Sequence, residues 1–71
     1  MADVLAKFGV HLREIRGKRG ISQERLAELA GLHRTYVSSV ERGERNISLE
    51  NISRLAKALE VKLRDLMPKD L

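Results

Sequence analysis

The sequence has no cysteine, no tryptophan and only one proline, one tyrosine and one phenylalanine among its 71 residues. Without cysteine, neither a disulfide nor a thiolate-bound metal can supplement the core. No apolar run approaches the roughly 20 residues that span a bilayer, and the N-terminus lacks the basic and apolar segments of a signal peptide. We therefore expect a soluble, cytoplasmic chain without a membrane association.

The length of the chain, with a mass of 8.1 kDa, predicts a single small domain over residues 1–71. One core of this size supplies only roughly 3–5 kcal/mol of stability, so association with a second subunit is the expected supplement. Fourteen basic and ten acidic side chains give a net charge of +4. This excess favours a polyanionic partner, with an inert basic surface as the alternative reading of charge alone.

Apolar residues recur three and four positions apart, as they do on one face of a helix, and no alternating strand pattern is present. Serine caps and glycine stops divide the pattern into an all-α bundle of five short helices. Leu29 and Leu49 are predicted to face the core of this bundle. The helices are expected to begin after Asp3, after Ser22, at Leu32 or His33, after Ser48, and near Lys62 for a last helix that reaches Met67.

The second and third predicted helices are separated only by Gly31 and Leu32. Two short helices with such a connection are typical of a helix-turn-helix, here at about residues 22–42, and the small Ala27 permits their close crossing. The outer face of the third helix carries arginine, threonine, tyrosine and serine instead of the strong helix formers of an ordinary solvated face. These side chains suit contact with base edges in the major groove.

The motifs ISQERLA (21–27) and VERG (40–43) resemble the helix-turn-helix signature of phage repressor and Cro-like regulators, the XRE family. The narrower runs HRTYV (33–37) and ERGERNISL (41–49) resemble the controller proteins of restriction–modification systems. The resemblance implies a lambda-repressor-like fold and a transcriptional regulator that binds palindromic operators as a homodimer. It also implies that Arg16 and Glu41 form a largely buried, structural ion pair.

Two groups of side chains are assigned to DNA. We assign base reading to the third helix, through Arg34, Thr35, Tyr36, Ser38 and Ser39. Arg34 leads because a guanidinium can donate two hydrogen bonds to guanine, with a phosphate contact as its alternative; for Tyr36 the alternative is packing in the core. We assign contact with the DNA backbone, partly from the resemblance, to Gln23, His33, Arg42, Arg45 and Asn46.

An excess of apolar residues near the C-terminus predicts a dimerisation region at about residues 47–71. Two-fold pairing would place two recognition helices one turn of DNA apart. For the last residue, a frayed terminus is the alternative. The interface residues are expected to be Ile47, Leu63, Met67 and Leu71.

His11 and His33 have no metal-ligand spacing, and no nucleophile elbow, phosphate loop or paired-carboxylate motif is present. We therefore expect no metal, cofactor, small-molecule ligand or enzymatic activity. The expected partners are double-stranded operator DNA and a second copy of the chain, with RNA polymerase as a further candidate. An antitoxin and a protein-interaction adaptor built on the same fold are the alternative functions.

Overall fold

The computed structural model describes the backbone of residues 2–70 and the side chains of residues 4–70. Its elements are α1 (Ala2–Arg19), α2 (Gln23–Ala30), α3 (Arg34–Glu41), α4 (Leu49–Leu59) and a C-terminal 3₁₀ helix (Leu63–Leu66). These residues contain no strand, which confirms the all-α class. The prediction of five α-helices is wrong by one, because the last element is a 3₁₀ helix. None of the described helices is long and apolar enough to cross a membrane.

The bounds of α2 and α4 follow from local capping, as the sequence predicts. Ser22 Oγ accepts a hydrogen bond from the backbone N–H of Arg25 at 3.0 Å, and Ser48 Oγ accepts one from the N–H of Asn51 at 3.1 Å. Gly31 ends α2 in the left-handed conformation, with φ of 71°. Each cap satisfies a backbone group that the helix leaves unpaired, so α2 begins and ends at the predicted residues and α4 begins at its predicted residue.

The other helix ends differ from the prediction by a few residues. α1 starts at Ala2, so the backbone of Asp3 is already helical and Asp3 is not the cap. His33 is the N-cap of α3, although its side chain makes no capping hydrogen bond. Near the C-terminus, the carboxylate of Asp65 accepts a hydrogen bond from the Lys62 N–H at 3.0 Å. This bond closes a tight turn, and Pro68, three residues after Asp65, cannot donate the bond needed to continue a helix.

One hydrophobic core joins all the elements, with Phe8, Leu12, Leu26, Val37, Val40, Leu55, Leu59 and Leu66 among its buried side chains. Two predicted core positions are wrong, since Leu29 is 46% exposed and Leu49 is 69% exposed. Leu29 lies outside the arc of α2 that Leu26 and its buried alanine neighbours define. Leu49 is the first residue of α4 and borders an external concave surface instead of the core.

Helix α1 crosses the C-terminal end of α3 at very short range. A Cβ atom on Gly9 would lie 2.5 Å from the carbonyl oxygen of Glu41 and 2.6 Å from that of Val40. A Cβ on Gly43, whose φ is 73°, would lie 2.9 Å from the Cα of Ala6. Only glycine permits this approach, which holds the end of α3 and its Glu41 side chain against α1.

Candidate nucleic-acid interface

A buried polar cluster connects α1, α2 and α3. Arg16 Nε donates to Glu41 Oε2 at 2.7 Å and Arg16 Nη2 donates to Glu41 Oε1 at 3.1 Å. Arg16 Nη1 also donates to the carbonyl of Ile21 at 3.0 Å, and Gln23 Nε2 donates to Glu41 Oε1 at 2.9 Å. The side chains of Arg16 and Glu41 are only 16% and 2% exposed. The pair that the resemblance implies is thus present, bidentate and buried.

The cluster sets the orientation of the helix-turn-helix relative to α1. The hydrogen bond with Glu41 raises the pKa of Arg16 above its ordinary value, and the attraction of the carboxylate adds to this effect against the opposing effect of burial. Arg16 therefore stays charged at every physiological pH. Because Gln23 is the first residue of α2 and Glu41 the last of α3, their hydrogen bond also connects the start of α2 to the end of α3.

The side chains on the exposed face of α3 differ in whether they already form hydrogen bonds within the protein. Arg34 and Thr35 are exposed, and within residues 4–70 Arg34 forms no ion pair. Ser39 Oγ donates to the carbonyl of Tyr36 at 2.8 Å, so its hydroxyl proton is already used within the helix. The hydroxyl of Ser38 accepts a hydrogen bond from Arg42. Among the described residues, the side chains of Arg34 and Thr35 therefore form no hydrogen bond, whereas Ser38 and Ser39 each keep only part of their bonding capacity for a ligand.

Tyr36 is half-buried, packs against the core and also lines a concave surface beside α3. Its hydroxyl accepts a hydrogen bond from Asn51 Nδ2 at 3.1 Å. The guanidinium carbon of Arg45 lies 5.4 Å from the centre of the Tyr36 ring, within the range of a cation–π interaction. The ring thus serves the core, while its outer face and hydroxyl organise two neighbouring polar side chains.

Two concave surfaces flank α3, and its exposed residues form the ridge between them. The first, which we name the arginine groove, is lined by Arg13, Arg16, Ser22, Gln23, Glu24, Arg34, Ser38 and Arg42. The second, the tyrosine groove, is lined by Gly31, Leu32, His33, Thr35, Tyr36, Ser39 and Arg45. Of the ten residues assigned to DNA from the sequence, nine line one of these two grooves. Asn46 is exposed in the α3–α4 loop beside them.

The arginine groove carries a positive charge that its own acidic residues do not cancel. Arg16 is neutralised by Glu41 and Arg42 is paired with Glu44 at 3.0 Å. Arg13 and Arg34 have no ion-pair partner within residues 4–70, and the N-terminus of α2 adds partial positive charge. Sequence reasoning did not single out Arg13. The sequence feature that could have identified Arg13 is its position about one helical turn before Arg16.

A separate apolar surface lies between the first residue of α4 and the C-terminal 3₁₀ helix. Leu49, Leu63 and Met67 line it together with the stems of Lys62 and Arg64. Leu63 is 39% exposed, whereas Met67 and Ile47 are half-buried against the core. Of the predicted interface residues, Leu71 lies outside the described part of the chain. Leu49, predicted for the core, is instead the most exposed leucine of this surface.

Two short helices joined through a left-handed glycine, with a polar face on the second helix between two concave surfaces, define a helix-turn-helix protein. The helix-turn-helix family model matches residues 12–66 of this chain. The chain belongs to this family. The resemblance to XRE-type regulators seen in the sequence motifs is thereby confirmed.

Similar proteins include two control proteins and a restriction–modification controller of known structure. The chain is 52% identical over 61 residues to Control protein C.BamHI of Bacillus amyloliquefaciens, covering 84% of this chain and 75% of the relative. It is 43% identical over 67 residues to Control protein C.SmaI of Serratia marcescens, covering 94% and 80%. The crystal structure of the restriction–modification controller protein C.AhdI from Aeromonas hydrophila superposes with a TM-score of 0.91 at 55% identity, covering 93% of this chain and 96% of that chain.

Proposed function

We propose that the protein is a non-catalytic, sequence-specific regulator of transcription that binds palindromic DNA as a homodimer, in the manner of a restriction–modification controller. The observation that best supports this function is the exposed ridge of α3, where the polar groups of Arg34 and Thr35 remain available between two polar grooves. The family membership and the similarity to control proteins support the same function.

Base reading is assigned to the ridge of α3. Arg34 donates two hydrogen bonds to guanine, and the methyl group of Thr35 contacts thymine. Ser38 can donate its hydroxyl proton to a base, because its internal bond with Arg42 uses only its oxygen lone pair. Ser39 acts only as an acceptor, because its proton is held by the Tyr36 carbonyl. The ridge thus offers both donors and acceptors to the major groove.

The two grooves hold the phosphates on either side of the ridge. In the arginine groove, Gln23 and Arg42 act with the unpaired N–H groups at the start of α2 and with Arg13. On the opposite side, the tyrosine groove contributes His33 and Arg45, with Asn46 beside it. Such contacts position the protein and make its affinity depend steeply on salt.

The apolar surface at Leu49 and Leu63 forms the centre of the dimer interface, with Met67 and Ile47 at its inner edge. A single helix-turn-helix buries only about 600–1,000 Å² on DNA, and a two-fold dimer doubles that contact. Dimerisation spaces the two α3 helices by about 34–36 Å, one turn of DNA. Occupancy then follows protein concentration, and a bound dimer beside a promoter either blocks or contacts RNA polymerase.

The test compares two arginines that differ in their proposed partners. Arg34→Ala is expected to cost about 1–3 kcal/mol on the preferred operator and to remove discrimination at one base pair. Arg13→Ala, its matched control on the arginine groove, is expected to weaken binding to all duplexes alike and to lower the salt slope by about 1. Fluorescence anisotropy with operator and scrambled duplexes measures both. Equal losses on the two duplexes for Arg34→Ala would contradict base reading by this residue.

A further inference from the structure

One aromatic side chain joins three elements beside the ridge. Tyr36 belongs to α3, its hydroxyl is bonded to Asn51 of α4, and its ring lies beneath the guanidinium of Arg45 in the α3–α4 loop. Asn51 is itself held in place, because its backbone N–H is bonded to the capping hydroxyl of Ser48. A half-buried amide on a capped first turn is a rigid support for the tyrosine.

The direction of the hydrogen bond determines what the tyrosine can offer. A phenol has one proton to donate and lone pairs with which to accept. Asn51 Nδ2 donates to Tyr36 Oη at 3.1 Å, so the tyrosine proton is directed away from α4. A hydroxyl that already accepts a bond is also a stronger donor. The partner that completes this series of hydrogen bonds is an oxygen that only accepts hydrogen bonds, as the phosphate oxygens of DNA do.

We propose that Asn51 is a positioning residue for DNA recognition. It holds the Tyr36 hydroxyl so that the phenol donates its proton to a phosphate oxygen, and it keeps the ring in place under Arg45. This inference rests on the proposed function and adds to it a residue that does not itself need to touch DNA. Asn51 acts through the tyrosine, and its loss has consequences only while the Tyr36 hydroxyl is present.

The experiment is a double-mutant cycle on DNA binding with Asn51→Ala, Tyr36→Phe and the double variant. Each single change is expected to weaken binding to the preferred operator about two- to tenfold, the range of one net hydrogen bond. The double variant is expected to bind as Tyr36→Phe does, because both changes remove the same chain of bonds. Denaturant unfolding of each variant establishes that it is folded at the assay temperature.

A second part of the experiment reverses the direction of the hydrogen bond between residue 51 and Tyr36. In Asn51→Asp, a carboxylate that only accepts takes the tyrosine proton, so Tyr36 has nothing left to donate to DNA. Its binding is expected to be several-fold weaker than that of the control Ser53→Asp, which adds the same charge to an exposed position of α4. In a Tyr36→Phe background, the difference between the two aspartate variants is expected to shrink.

Two outcomes would overturn the role of Asn51. One is additive losses in the cycle, and the other is Asn51→Asp binding as well as Ser53→Asp. A failure of the proposed function would look different, because the unmodified protein would then show no preference for any selected duplex over random DNA. That result would remove this inference as well.

Discussion

Because α1 crosses α3 closely, replacing glycine by alanine is expected to change the free energy of unfolding in opposite directions at Gly9 and at Gly17, both in α1. Alanine at Gly9 would place a Cβ 2.5 Å from a carbonyl oxygen of α3, and this distance must grow to at least 3.4 Å for ordinary contact. The obstructing atoms belong to the backbone of Val40 and Glu41, so no side chain can rotate away. At Gly17, nothing lies within 4 Å of the added Cβ.

The magnitudes follow from these two environments. Overpacking costs about 1–3 kcal/mol, and replacing a helical glycine by alanine returns about 0.5–1 kcal/mol. Because the obstructing atoms are backbone atoms within 2.8 Å, the upper part of the overpacking range applies, about 2–3 kcal/mol. Gly9→Ala is therefore expected to lower the free energy of unfolding by about 1–2.5 kcal/mol, which corresponds to a fall in Tm of about 4–20 °C for a domain of this size. Gly17→Ala is expected to raise the free energy of unfolding by about 0.5–1 kcal/mol.

Thermal and urea unfolding, followed by far-ultraviolet circular dichroism, measure both variants. Protein concentration is kept constant, because the proposed dimerisation would make Tm concentration-dependent. A neutral or stabilising Gly9→Ala would refute the close crossing, and with it the account of how Glu41 reaches Arg16. A destabilising Gly17→Ala would show that the surface at Gly17 is covered.

The remaining predictions concern the buried pair and the dimer. Glu41→Gln is expected to lower the free energy of unfolding by about 3 kcal/mol, because Arg16 would remain charged and buried without its carboxylate; a loss below about 1 kcal/mol in urea titration would contradict this. Because the pKa of Arg16 is raised in the folded protein, its contribution to stability is fully present below the ordinary pKa of arginine and is lost only in strongly alkaline solution. The destabilisation by Glu41→Gln is therefore expected to be equal at about pH 7 and about pH 9. Leu49→Lys is expected to shift the chain toward monomer in sedimentation equilibrium while retaining its helicity. Leu29→Lys, an exposed leucine on α2, is its control, and the reverse pattern would place the interface elsewhere.

The parts of the fold that the sequence predicts correctly depend on local contacts. Ser22 and Ser48 cap helices through bonds to residues three positions away, and Gly31 adopts the left-handed conformation that glycine favours. The errors arise where packing decides. Spacing alone placed Leu29 in the core, but the buried arc of α2 is narrower than its apolar pattern.

The candidate site likewise has features that the sequence predicts and features that depend on tertiary packing. The polar face of α3 is visible in the sequence, since its residues are poor choices for an ordinary solvated helix. The bonds between Gln23 and Glu41 and between Asn51 and Tyr36 join residues 18 and 15 positions apart. No periodicity encodes such pairs, because they depend on the angles at which the helices cross.

The measurement that tests the central claim most directly is selection of bound duplexes from a random pool at about 150 mM salt, where non-specific affinity is weak. The account predicts enrichment of a palindromic consensus whose half-sites lie about one helical turn apart. Enrichment of a single half-site would contradict the dimer. The absence of any enrichment would contradict sequence-specific regulation and favour an adaptor or an antitoxin on this fold.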